Sequence, residues 1–246
     1  AAFVSADGGA SGSALSLNGP VACAPGATGA LVWDSVGVHR IDLHRDELVV
    51  TDTLAVTALA ESTAGAMFAI SRGGTLMRKA DSGWESVGIG PYTALAAGGG
   101  VLLRASAVGI EVSRDEGDSW AFVLDLAATT LGAGPTAWMA TTNDDGVWIS
   151  EDQGNTWGVD RGGLEELAEG SGAPAAGATH WFNLVDDEGT LWAAAWEGLY
   201  RRALGEAGWT QIQTRSLPLV RDLTWVSDGL LTAPYGGGLA IGAPGE

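Results

Sequence analysis

The sequence predicts an all-β chain built from repeated four-stranded antiparallel sheets, and three observations carry that expectation. The first is an eight-residue phrase that occurs twice: Ser113 to Trp120 reads S-x-D-x-G-x-S-W, and Ser150 to Trp157 reads S-x-D-x-G-x-T-W. The second is a ruler of glycines, each set before a short apolar strand, at Gly37, Gly74, Gly109, Gly146, Gly198 and Gly238. The third is composition, since 38 Gly and 11 Trp in 246 residues suit a fold of tight turns and large aromatic anchors. The ruler spacings are 37, 35, 37, 52 and 40 residues. A period of that size marks one supersecondary unit that buries its apolar faces by stacking on its neighbours. Six units closed around an axis make a six-bladed β-propeller.

The strands follow in chain order. Ahead of each ruler glycine lies one apolar strand, at 30–33, 66–70, 100–104, 137–141, 190–194 and 229–233. Ahead of that lies another, at 20–24, 56–60, 92–96, 129–133, 179–184 and 220–226. A fourth follows the ruler strand at 46–50, 84–87, 120–124, 157–159 and 209–212. The sixth unit lacks its fourth strand, and residues 12–17 are available to supply it, so the last blade is expected to be closed by the N-terminal strand. Blades then run about 19–52, 54–89, 91–126, 128–160, 177–214, and 218–246 plus 1–18, within one domain of residues 1–246. Residues 3–5 also read as a third strand, a place that 238–241 already fills, which keeps seven blades as the alternative.

The repeated phrase has a mechanism. The carboxylates of Asp115 and Asp152 can accept nearby backbone N–H groups and close a turn. Gly117 and Gly154 supply a positive φ without a Cβ penalty. Ser113 and Ser150 open the phrase, and the hydroxyls of Ser119 and Thr156 can satisfy a further turn group. Trp120 and Trp157 then start the next strand and can bury a ring between sheets, so truncating either is expected to cost about 3–5 kcal/mol. Ser5-Ala6-Asp7-Gly8-Gly9-Ala10-Ser11 is a third, worn copy built on Asp7, with Gly12 where the Trp would stand. Shortened versions occur at 79–84 and 205–209.

With these residues in view, the phrase resembles the Asp-box (BNR) repeat. The chain is similar to the sortilin/Vps10-like and photosystem II assembly-factor-like propellers, and more distantly to sialidases. That resemblance implies that the boxes are structural and lie away from the functional face. It also implies an extracytoplasmic location, periplasmic or secreted, with a leader already removed.

The formal net charge is −18, with a pI near 4.3. Such a surface repels phosphate backbones and anionic membranes, which excludes nucleic acid as an expected partner. The sequence contains no apolar run near the ~18 residues that a spanning helix needs. Cys23 is the single cysteine, and His39, His44 and His180 are scattered, so neither a disulfide nor a metal or other cofactor is expected. The stretches at 143–146 and 186–189 lack the spaced acids and distant Glu of a calcium loop and read as Asp/Gly turns.

In a propeller the turns between strands two and three share a face with the links between blades. The ruler therefore names the candidate binding face. It offers Arg72, Tyr92, Arg104, Asn143, Asp144, Arg161, His180, Trp196, Glu197, Arg221, Asp222 and Tyr235. A long inter-blade insertion at 160–178 lies on the same side. Aromatic and Arg anchors on a rigid face suit a non-catalytic scaffold that binds a protein or peptide, and the acidic charge favours a basic one. The alternative is a lectin-like propeller in which Trp196 and Glu197, with Asn143 and Asp144, hold a saccharide. A sialidase-like glycoside hydrolase is the third reading. It needs an Arg cluster, a Tyr activated by Glu and an acidic proton donor. The family's early Arg-Ile-Pro is absent, Arg40-Ile41-Asp42 is the nearest phrase, and the chain has three Tyr, at 92, 200 and 235.

Overall fold

The computed structural model describes residues 2–4, 13–15, 22–26, 29–33, 37–42, 47–142, 146–162, 181–195, 198–206, 208–212, 220–226, 229–234 and 240–242. Among them every regular element is a strand. The two-stranded sheet at the start pairs β1 (Ala2–Val4) with β2 (Ser13–Leu15). The first four-stranded sheet runs β3 (Ala22–Gly26), β4 (Gly29–Trp33), β5 (Val38–Asp42) and β6 (Glu47–Asp52). The second runs β7 (Val56–Glu61), β8 (Met67–Ser71), β9 (Leu76–Ala80) and β10 (Gly83–Gly88). The third comprises β11 (Ala94–Gly98), β12 (Val101–Ser106), β13 (Gly109–Ser113) and β14 (Ala121–Leu124). The fourth comprises β15 (Thr130–Ala133), β16 (Trp138–Thr141), β17 (Val147–Ser150) and β18 (Gly158–Asp160). The fifth holds β19 (Trp181–Asp187), β20 (Thr190–Ala195), β21 (Gly198–Ala203) and β22 (Thr210–Ile212). The sixth holds β23 (Val220–Val226), β24 (Gly229–Pro234) and β25 (Ala240–Gly242).

Every hydrogen-bonded pair of strands within these sheets is antiparallel and consecutive in the chain. The first strands of successive sheets stand side by side, from β3 through β7, β11, β15 and β19 to β23, and β23 stands next to β3 again. That ring of sheets is a β-propeller. The sequence predicts a last blade closed by the N-terminal strand; among the described residues that strand, β2, pairs with β1 in a separate two-stranded sheet, and the sixth sheet has three strands. The N-terminal segment reaches the last sheet through β1, which borders β25.

The core lies between sheets rather than within one of them. Leu31 and Val38 of the first sheet meet Val56, Leu59 and Ala69 of the second. Phe68, Ile70 and Leu76 meet Leu95 and Leu102 of the third, and Leu103, Ile110 and Val112 meet Leu131, Trp138 and Ala140 of the fourth. Met139, Val147 and Ile149 meet Leu184, Leu191 and Tyr200 of the fifth. A middle strand therefore buries both faces: in β12, Leu102 points to one neighbouring sheet and Leu103 to the other. Ion pairs cross the same seams. Arg40 Nη2 lies 2.8 Å from Glu61 Oε1 between the first two sheets, and Arg202 Nε lies 2.7 Å from Asp160 Oδ2 between the fifth and fourth.

Candidate functional site

The two ends of β13 separate the two faces of the molecule. One end carries the turn from β12, and the other carries the box that leads to β14. At the box end, Ser113 Oγ donates to Asp115 Oδ1 at 2.8 Å, and the Gly117 N–H donates to Ser113 Oγ at 2.8 Å. The Ser119 N–H donates to Asp115 Oδ1 at 2.8 Å, while its hydroxyl donates to Oδ2 at 2.5 Å. The second box repeats this with Ser150, Asp152, Gly154 and Thr156 at 2.9, 2.8, 2.8 and 2.6 Å. Glu116 and Gln153 sit at φ 56° and 59°, followed by Gly117 and Gly154 at 83° and 87°. The hydrogen bonds from Ser119 and Thr156, foremost among the causes, hold the Asp115 and Asp152 carboxyls below the usual range. Trp120 adds a bond the sequence did not announce, from Nε1 to Gly117 O at 3.1 Å. All of these carboxylate oxygens are used inside their own turn. Trp120 and Trp157 are half-buried, each packed against a core cluster, with part of each ring open to solvent. Asp7 lies outside the described residues.

At the other end the turns and links lie against one another. The Tyr92 N–H donates to Gly74 O at 3.0 Å, and the Thr93 N–H donates to Ala105 O at 2.9 Å. The turn after β8 and the end of β12 are thus tied to the link between the second and third sheets. Arg72 is exposed on the first of these turns. Arg104 is a correction to the expected binding face. It sits within β12, 8% exposed, with its guanidinium 4.5 Å from the Tyr92 ring and 4.0 Å from the Trp120 ring. Its Nε donates to Glu111 Oε2 at 2.8 Å. Burial between two aromatic faces makes it a packing residue, because its donors are not presented at the surface. Tyr92 is half-buried against it.

Arg161 is exposed where the chain leaves β18, at the start of the insertion, which is described only as far as Gly162. Arg221 and Asp222 lie on β23, the first strand of the last sheet, where the pairing with β24 is irregular between Val220 and Asp222. Their side chains, and Asn143, Asp144, His180, Trp196, Glu197 and Tyr235, lie outside the described residues. The turn at 186–189 is a staple rather than a cation loop. Asp186 accepts from the Thr136 N–H at 2.7 Å, the Ala137 N–H at 2.9 Å and the Gly189 N–H at 3.1 Å, and the Thr136 hydroxyl also donates to it. Beside it, burial and the charges of Glu188 and Asp186 push Asp187 upward.

The face also holds residues that the sequence reading missed. Ile89, Val108 and Phe122 are exposed by 92%, 73% and 58%, and they are the exposed large hydrophobics among the described residues. Ile89 is on the link after β10, Val108 is on the turn after β12, and Phe122 is on the outer strand β14 opposite Glu111, with its ring reaching toward Gly109. A side chain built on Gly109 would lie 2.5 Å from the Phe122 ring. A faint signal existed in the sequence, because Ile89 stands between two glycines in a link that has no strand pattern.

No family model matches the chain, and no curated protein matches it. Solved structures do. YCF48 from Cyanidioschyzon merolae is 14% identical over 78% of this chain and 68% of that one, with a TM-score of 0.54. A second YCF48 structure, bound to D1 peptide, is 17% identical over 76% and 64%, with a TM-score of 0.50. A nidogen/laminin complex gives 14%, 83% and 84%, with a TM-score of 0.58. The Niastella koreensis GH74 enzyme gives 15%, 82% and 39%, with a TM-score of 0.55. At these identities the likeness concerns the fold, and the same fold serves binding proteins and an enzyme.

Proposed function

We propose that this propeller is a non-catalytic scaffold that binds a protein or peptide through the face carrying its links and its strand-two-to-three turns. The observation that carries the reading is the exposure of Ile89 on a link and Val108 on a turn of that face, with exposed Phe122 on the outer strand below the same turn. Single exposed apolar residues are ordinary on a protein surface. Several large ones on adjoining segments mark an interaction surface. Arg72 is exposed beside them and can supply a polar contact at the rim. YCF48 bound to D1 peptide and nidogen in complex with laminin show propellers of this shape engaged with peptide and protein partners. Tyr200, one of three candidates for a glycosidase nucleophile, is fully buried in the core between the fourth and fifth sheets, which speaks for binding over hydrolysis. The extracytoplasmic location implied by the Asp-box resemblance belongs to this proposal.

Site-specific photocrosslinking tests it. A photoreactive amino acid placed at Val108 is expected to give discrete protein adducts in the native setting, and the same group at Gln153, on the box face, is expected to give none. Equal labelling from both positions, or none from Val108, would count against the proposed face. Turnover of a sialoside or β-glucan by the purified chain would remove the non-catalytic part.

A further inference from the structure

We infer that the occupant of this face is a peptide segment in which apolar side chains stand between basic ones, an inference that rests on the binding reading above. The apolar half comes from how the link is built. It reads Gly88-Ile89-Gly90-Pro91-Tyr92. The Tyr92 ring fills the inside of this link. A side chain on Gly90 would lie 3.2 Å from Tyr92 Cζ, and one on Gly88 would lie 3.2 Å from the Tyr92 hydroxyl and 3.0 Å from Arg104 Nη1. The ring in turn rests on buried Arg104, which Trp120 and Glu111 hold in place. Tyr92 and Arg104 thus form a pedestal. The two glycines leave room for it, and Ile89 is left pointing away from the core. Its side chain contributes nothing to the packing between sheets, yet its backbone is fixed by a buried stack. A fixed apolar side chain of this kind loses little entropy on binding. Val108 is likewise presented on a closed turn, where its N–H donates to Ser106 Oγ at 3.3 Å.

The basic half comes from charge. The whole chain carries −18, so a second copy meets repulsion on approach and a cationic segment meets attraction. Of the cations around this face, Arg72 is exposed at the rim. Arg104 pairs with Glu111 at 2.8 Å, and Arg78, in the middle of β9, pairs at 3.0 Å with Asp118 of the box end. Asp125, which follows β14 directly, is exposed at the link end of its sheet, and Glu85, opposite Arg78 in the middle of β10, is exposed on the sheet before it. A peptide of alternating apolar and basic residues places carbon against Ile89 and Val108 and ammonium or guanidinium groups over these carboxylates.

Fluorescence anisotropy of labelled heptapeptides against the full chain tests this. A peptide of alternating Lys and Leu is expected to bind at least about tenfold tighter than its Lys/Ser and Glu/Leu counterparts. The Ile89→Ser, Val108→Ser double variant, checked for folding by circular dichroism, is expected to lose about tenfold for the Lys/Leu peptide. Gln153→Ser, on the other face, is expected to change nothing. Equal binding of the Lys/Ser peptide would reduce the effect to bulk electrostatics and overturn the inference, as would full binding by the double variant. Crosslinks at Val108 that persist without any preference for the Lys/Leu peptide would overturn the peptide class and leave the binding face standing. Loss of both would overturn the two together.

Discussion

Within each copy of the repeated phrase the decisive residue beside the Asp is the glycine, for two independent reasons. Gly154 sits at φ 87°, and a side chain there would lie 2.5 Å from Trp138 Cζ3. Gly117 sits at φ 83°, and a side chain there would lie 2.9 Å from the Phe68 ring. Conformation and space both exclude Cβ, so Gly154→Ala is expected to destabilise by at least about 2 kcal/mol, read by urea denaturation. A loss below half of that would show that the turn relaxes. The first reason was legible in the sequence, because it follows from a local turn. The second was not, because Phe68 belongs to the neighbouring sheet. Asp115 and Asp152 make the box sensitive to acid. Their folded-state pKa values are depressed below 3.8 by the Ser119 and Thr156 hydrogen bonds. The stabilisation they give is therefore complete above the unfolded value and is lost as pH falls through the folded one. The Asp115→Asn, Asp152→Asn variant is expected to trail wild type in melting temperature at pH 6 and to approach it below pH 3.8. A gap that stays constant down to pH 2 would show that the carboxylates are not the titrating groups.

Between neighbouring sheets, turns and side chains staple what the strands align. Arg114 Nη2 of one box donates to Gln153 O of the next at 3.1 Å, and its guanidinium lies over Trp138. On the hairpin tips, Asp186 of the fifth sheet accepts the Thr136 and Ala137 N–H groups of the fourth. Asp186→Ala strands those donors and is expected to cost about 1–3 kcal/mol, whereas Asp187→Ala next to it is expected to cost little, as thermal melts of the two variants can show. Equal effects would make the staple incidental. The strands themselves were largely legible, because ruler glycines and apolar runs are properties of short segments. Arg104 was not. Read alone, an Arg after Val101-Leu102-Leu103 looks like the end of a strand facing water. In a propeller the middle strands bury both faces, so the alternation that separates inside from outside vanishes there. Arg104 shares the face of Leu102 and finds its partners in Tyr92 and Trp120, which come from other parts of the repeat. Ile89 was missed for the converse reason. An apolar residue in a link suggests burial, and only the ring of Tyr92 underneath shows that the inside is already full.

Across the whole molecule, charge acts on folding and on binding with opposite consequences for salt. The formal charge of −18 is spread over a chain whose core clusters, among the described residues, each join one sheet to the next, so self-repulsion opposes the compact ring. At about 10 mM salt the screening length is roughly 30 Å, long enough for carboxylates on different sheets to repel one another, and at physiological salt it falls to about 8 Å. Sodium chloride is therefore expected to raise the melting temperature between these conditions. A relief of about 1 kcal/mol corresponds to roughly 2–4 °C for a chain of this length. The attraction for a basic peptide is screened by the same ions, so its affinity is expected to fall over the same range, mainly through a slower association rate. Measuring both on one preparation separates two uses of the acidic surface. A melting temperature that rises while peptide affinity holds constant would mean that the charge governs only the fold and that Ile89 and Val108 carry recognition alone. Affinity that falls while the melting temperature stays flat would place the effective carboxylates locally, at Asp125 and Glu85, rather than in the field of the whole ring.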